Sequence, residues 1–142
     1  MGSSQSTLRK FSTAFVWTIE NISKILSPTS VVECLNYSFN ASPDKEDLQW
    51  KLGLHPFGDR DENRNYVSLF LSLDKSYKLS VEANIKFTIM NASLEESSFS
   101  NTTEKFTFLS TSQSKNCNSV GFSQFIERSK ILDKSSKLIK DD

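Results

Sequence analysis

Four stretches of this chain alternate apolar and polar residues with a period of two, and that pattern restricts the fold more than any other feature. Phe15, Trp17 and Ile19 alternate with Val16, Thr18 and Glu20. Leu48, Trp50, Leu52 and Leu54 alternate with Gln49, Lys51, Gly53 and His55. Val67, Leu69, Leu71 and Leu73 alternate with Ser68, Phe70 and Ser72, and Ala83, Ile85, Phe87 and Ile89 with Asn84, Lys86 and Thr88. A period of two sends successive side chains to opposite faces of a strand, one face for a core and one for solvent. Shorter strand-like pieces run through Val31–Phe39 and Phe106–Leu109.

Turn-rich segments separate these pieces: Ser27-Pro28-Thr29, Ala41-Ser42-Pro43-Asp44 and the long polar run from His55 to Asn65. Gly and Asn supply the backbone conformations that turns need, and Asp side chains bond back to the main chain. Short strands at such spacing predict an all-β fold, an antiparallel sandwich of about seven strands. One stretch reads as helical: Phe122, Phe125 and Ile126 stand at i, i+3 and i+4, which predicts a short helix near residues 120–128 capped by Asn118 or Ser119. The Ser-rich runs Ser97–Asn101 and Ser110–Ser119 are expected as exposed loops.

With 142 residues the chain has the length of one domain. Residues 1–10 are expected to form a flexible leader and residues 11–142 the folded domain. The 17 basic and 17 acidic residues cancel, so the clustered positive field of a nucleic-acid binder is missing. The basic stretch Arg128–Lys140 is interrupted by Asp133 and reads as a solvated face. No run of about eighteen apolar residues offers a membrane span. The polar segment Met1–Lys10 lacks the apolar stretch of a secretory signal. The sequons at Asn21, Asn36, Asn40, Asn91 and Asn101 then reflect a chain rich in Asn and Ser. Cys34 and Cys117 lie far apart and in no metal-ligand spacing, as expected of free thiols in a reducing compartment. Cytoplasm or nucleus is the expected location. Met1-Gly2-Ser3-Ser4-Gln5-Ser6 fits the pattern for N-myristoylation at Gly2, with a disordered Gly/Ser leader as the alternative reading.

Several segments together resemble the MATH (TRAF-like) domain, in the branch found in speckle-type POZ proteins. They are Lys10-Phe11-Ser12, Val16 to Ile22, Leu48 to Leu52, Gly58 to Glu62, Asn65 to Leu71, Lys86 to Ala92 and Gly121 to Ile126. Their order and approximate spacing are those of the family. The resemblance implies a sandwich with a shallow groove that binds short Ser/Thr-containing peptide segments of partner proteins. It also implies that a BTB/POZ domain, where one follows in a longer form, presents the bound protein to a cullin-RING ubiquitin ligase as a substrate adaptor. Relatives continue beyond the segment matching Lys137–Asp142 into one more apolar strand, so the resemblance suggests a chain truncated before it, whether as a fragment or naturally. A sandwich lacking that strand would carry an unpaired edge.

Phe70 is the most informative single position. It is a large ring between Ser68 and Ser72, on the face opposite Leu69 and Leu71, and is either covered by a loop or part of a binding surface. The resemblance places groove residues at Phe70, Phe106 and Phe122 and also at Ile85, although alternation alone puts Ile85 beside Phe87 in the core. Two positions depart from the family. Gly53 stands where a basic residue is expected and Val120 where a Trp is expected. Each loss is expected to cost a bound peptide about 1–3 kcal/mol, so the ligand preference does not carry over with the fold. Ser119, with Thr102, Asn118 and Ser123, falls around the implied rim. No catalytic residue, metal site or cofactor is expected. His55 is the single histidine, neither cysteine lies in a nucleophile motif, and no phosphate-cradling Gly-rich loop occurs. Two alternatives to peptide binding stand beside it: a structural or oligomerisation sandwich, and a truncated family member with no retained peptide ligand.

Overall fold

The computed structural model describes residues 13–41, 48–75, 80–90, 96–109 and 119–133. Among these the chain forms β1 (Leu35–Asn40), β2 (Gln49–His55), β3 (Tyr66–Lys75), β4 (Ser80–Met90), β5 (Glu96–Leu109) and β6 (Ser119–Glu127). Two short helices accompany them, α1 (Ile22–Ile25) and α2 (Arg128–Leu132), with a 3-10 turn at Asp61–Asn63. A four-stranded antiparallel sheet runs in the order β1-β2-β3-β6, and β4 pairs with β5 in a second antiparallel sheet. The expected all-β architecture of two antiparallel sheets is therefore the observed one. The expected leader at 1–10, Gly2 within it, and the loop at 110–118 with Cys117 and Asn118 lie outside the described residues.

The core lies between the sheets. Cross-strand register builds it in rows: Leu52, Leu71 and Val120 form one row, and Leu54, Leu69 and Phe122 the next. Phe108 is fully buried and meets the Trp50 ring edge-on at 5.0 Å. Phe87 closes from the second sheet with edge-on contacts to Phe122 at 6.0 Å and Phe125 at 6.1 Å. Trp50 satisfies its indole N–H by donating to the Ala41 carbonyl at 3.0 Å, as a buried tryptophan must. Leu26, just after α1, is buried in the same cluster and anchors the N-terminal segment.

Three sequence expectations change. The segment expected as a helix near 120–128 is strand β6, and helix α2 starts only at Arg128. The reason is a register shift. The two-residue step from Val67 to Leu69 on β3 faces the four-residue step from Phe122 to Ile126 on β6. This bulge resets the alternation, so Phe125 and Ile126 are both buried although adjacent, and the apolar spacing imitates a helix. Second, Phe15–Ile19 is expected as a strand yet forms no ladder. Its rings instead stack on β1, Phe15 on Phe39 at 4.3 Å and Trp17 on Tyr37 at 5.6 Å. Third, the expected loop Ser97–Asn101 belongs to β5, with Ser100 opposite Thr88 and Asn101 opposite Phe87. Backbone pairing with β4 builds strand there without an apolar periodicity.

Candidate functional site

The two faces of the four-stranded sheet separate the residues singled out from sequence. Asn36, Gly53, Phe70 and Gly121 lie in one cross-strand row. Two residues along, Ser38, Lys51, Ser72 and Ser119 form the neighbouring row on the same outer face. Phe70 is thus flanked on both sides by glycine. It stands apart from the side chains packed on the buried cluster, and its ring meets His55 edge-on at 6.0 Å. Gly53, Phe70 and Ser119 are together on this face. A Cβ at Gly53 would sit 3.4 Å from Asn36 Oδ1 and 3.9 Å from Cys34 Sγ, ordinary contact distances, so no backbone constraint demands glycine there.

Val120, Phe122, Ile85 and Phe106 lie on the other side, half-buried and packed against the core. Val120 and Phe122 point inward from β6, opposite Leu71 and Leu69. Phe106 stacks edge-on against Phe108 at 4.7 Å. Ile85 shares the inner face of β4 with Phe87. Phe70 and Phe122 therefore occupy opposite faces of one sheet. A ligand touching both would have to cross the outer margin of β6, which ends the four-stranded sheet among the described residues.

A family model for the MATH domain matches residues 14–142. The chain belongs to the MATH-domain family. MATH domains are protein-interaction domains, so proteins are the class of partner that membership implies. No helix among the described residues of this MATH domain is long and apolar enough to cross a membrane.

Sequence reasoning missed the device that fixes the long loop of this MATH domain beside the outer face. Ser68 alternates as an outward residue, yet it is fully buried because residues 56–63 fold over it. Its Oγ accepts the Asp59 N–H at 2.9 Å and donates to the Ser123 carbonyl at 2.6 Å. The Asp59 carboxylate accepts Asn63 Nδ2–H at 2.9 Å and Ser123 Oγ–H at 2.9 Å. Gln124 Nε2–H closes the network on Asn63 Oδ1 at 3.0 Å. Partial burial alone would raise the Asp59 carboxyl. The hydrogen bonds from Asn63 and Ser123, its backbone N–H and the nearby Arg60 charge outweigh it and hold the group below its ordinary value of 3.8. Gly58 makes the turn possible with φ +83°, and a Cβ there would meet the Asn63 carbonyl oxygen at 2.2 Å. Arg128 finishes the clamp: its guanidinium lies 4.6 Å from the Phe57 ring centroid and donates to the carbonyls of Arg64 and Pro56. The Gly58-Asp59-Arg60 run was the sequence signal here, but Ser123, which donates to the Asp59 carboxylate, lies 64 residues on, beyond the reach of local pattern.

The chemistry available on the outer face is modest. Cys34 is exposed, and its Sγ lies 3.9 Å from His55 Nε2. Local burial, opposed by the Lys51 charge and a backbone hydrogen bond, leaves the thiol pushed up from its ordinary value, the opposite of an activated nucleophile. Among the described residues no three or more His, Cys, Asp or Glu side chains gather as a metal-binding group.

Proposed function

We propose that this MATH domain is a non-enzymatic recognition module that holds short, extended Ser/Thr-containing segments of partner proteins along the margin of β6. The observation that carries this reading is the placement of Val120, Phe122, Phe106 and Ile85. All four are half-buried apolar side chains packed against the core; Val120 and Phe122 stand on the strand that ends its sheet among the described residues, and Ile85 and Phe106 stand on the second sheet. An edge strand offers unpaired N–H and C=O groups to an extended peptide, and apolar pockets beside it select alternate side chains. Ser119 adds a hydroxyl on the same strand. In the speckle-type POZ branch that the sequence resembles, such a module selects substrates for a cullin-RING ubiquitin ligase. A BTB/POZ domain in a longer form would supply the ligase contact. Cytoplasm or nucleus is the compartment that fits this role.

A peptide-array screen followed by titration tests the reading. Phe122→Ala is expected to weaken every bound peptide, and Phe70→Ala to weaken only peptides long enough to cross the β6 margin. Peptide affinities unchanged in Phe122→Ala would remove the inner lip from the site. A second reading, self-association, is favoured by one observation: Phe15, Val16 and Val31 are 41%, 52% and 91% exposed beside β1, the other end strand of the same sheet. Light scattering separates the two, because a peptide-binding monomer excludes the second.

A further inference from the structure

One layer of the sandwich holds four strands, β1-β2-β3-β6, whereas β4 and β5 pair only with each other among the described residues. β5 runs beside β6, so β4 is the strand turned toward the middle of the four-stranded sheet. At the far end the N-terminal segment Phe15–Ile19 lies over β1, stacked on Phe39 and Tyr37. Between that segment and β4 lies the inner face of β2. Its Trp50 end is closed by Phe108, but Leu52 and Leu54 are only half-buried. On β4 the inward residues Ala83 and Ile89 are half-buried too. Four columns in one layer thus face three in the other. The slot left over is one strand wide, with neighbouring strands expected about 4.7–4.9 Å away.

The free edge of β4 suits a strand placed there. Its 11 residues, Ser80–Met90, keep their alternation because both irregularities of the ladder fall on β5. The two-residue step Ala83–Ile85 faces the three-residue step Phe106–Thr103, and Thr88–Met90 faces Ser100–Glu96. The inward set, Val81, Ala83, Ile85, Phe87 and Ile89, contains no charge. A long edge with neither bulge nor inward charge lacks the devices that blunt sheet edges. Glu82 and Lys86 stand exposed on the opposite face of β4, four residues apart. Every ladder among the described residues is antiparallel, and an antiparallel neighbour would meet Lys86 first and Glu82 four residues later. An acidic residue followed four positions on by a basic one therefore matches both. The segment Phe15–Ile19, which forms no ladder, carries no such pair, and this points to a partner rather than a second copy.

We propose that β4 takes up an extended segment of a partner protein as an added antiparallel strand over Leu52 and Leu54. That segment turns an apolar residue toward the core at every second position. On its solvent face it carries an acidic residue four positions before a basic one. Main-chain hydrogen bonds hold it, and the alternating side chains select it. The site is separate from the β6 margin and does not depend on peptide recognition there.

The test uses the full chain and a labelled peptide of about ten residues, the upper length of an ordinary strand. The peptide has Val at every second position and, on the other face, Glu four positions before Lys. Fluorescence anisotropy should show saturable one-to-one binding, and hydrogen exchange should show β4 amides gaining protection when the peptide is added. Exchanging Glu and Lys in the peptide should weaken binding, and N-methylation along the edge that faces β4 should abolish it. Leu54→Lys should lose the peptide while near-ultraviolet circular dichroism reports an intact fold. An N-methylated peptide that binds as well as its parent would reduce the effect to apolar adsorption and overturn the proposal. So would β4 amides already fully protected in the free chain, since the slot would then be filled from within. Peptide that splits a dimer into monomers would make a second copy the natural occupant, with the same result.

Discussion

Gly121 sits directly opposite Phe70 in the β3–β6 ladder, and a Cβ on it would come within 2.7 Å of the Phe70 Cα and 2.0 Å of the Leu69 carbonyl oxygen. Both neighbours are main chain and cannot swing aside. Gly121→Ala is therefore expected to force β3 and β6 apart and to cost about 1–3 kcal/mol or more. Urea denaturation should show a lowered midpoint with an unchanged slope. A variant as stable as the parent would mean that the two strands approach less closely than described.

Asp59 gives the fold an acid-sensitive latch. Its folded-state carboxyl lies below the ordinary value of 3.8. The stability it contributes is thus complete above that value and is lost as pH falls through the folded one. Asp59→Asn should destabilise the domain at neutral pH, by about 1–3 kcal/mol for donors left without an ionised acceptor. The gap between parent and variant should then narrow on acidification below 3.8. A gap that stays constant across that range, in paired denaturation curves, would contradict the latch.

Phe108 has no exposed surface and fills the space against Trp50 and Phe106. Truncation to Ala should cost about 3–5 kcal/mol through lost burial and the cavity left behind. For a single domain of this size that is a large share of the total stability. The thermal midpoint of Phe108→Ala is expected to fall sharply, whereas Phe108→Leu should fall by much less.

Gly53 marks where ligand preference has room to change. Its backbone tolerates a side chain and its neighbours lie at ordinary contact distance. Gly53→Arg should fold with near-parental stability and restore the basic residue expected in the speckle-type branch. Peptides carrying a carboxylate or phosphate should gain affinity by a charge-assisted hydrogen bond, about 1.5–3 kcal/mol. Titration of paired acidic and neutral peptides checks this, since equal gains for both would exclude an electrostatic cause.

The strands β2, β3 and β4 were legible because each buries one face, and burial imposes the period of two. Phe70 was legible for the same reason: a ring out of phase with Leu69 and Leu71 has to lie on the outer face. Phe122 and Phe125 misled because a bulge is set by the partner strand, and nothing local to Gly121–Ile126 records that Ser68 opposes it. Phe15 and Trp17 misled differently. They alternate because they pack on Tyr37 and Phe39, and side-chain packing needs no backbone ladder. Within the candidate site, which residues face outward could be read from alternation. The division of Phe70 from Phe122 depends on how β3 and β6 align, and that information is spread over more than fifty residues.

The chain has two tryptophans, and the fold gives them different duties. Trp17 stacks on Tyr37 within a segment that forms no ladder, while Trp50 is enclosed with Phe108 at the junction of the two sheets. Each indole is thereby an optical gauge of a separate event. Emission from a Trp50→Phe protein follows the lifting of the N-terminal strap from β1, and emission from a Trp17→Phe protein follows the parting of the sheets. Whether those two signals move together will say if the strap is a working part of the cooperative unit or only rides on it.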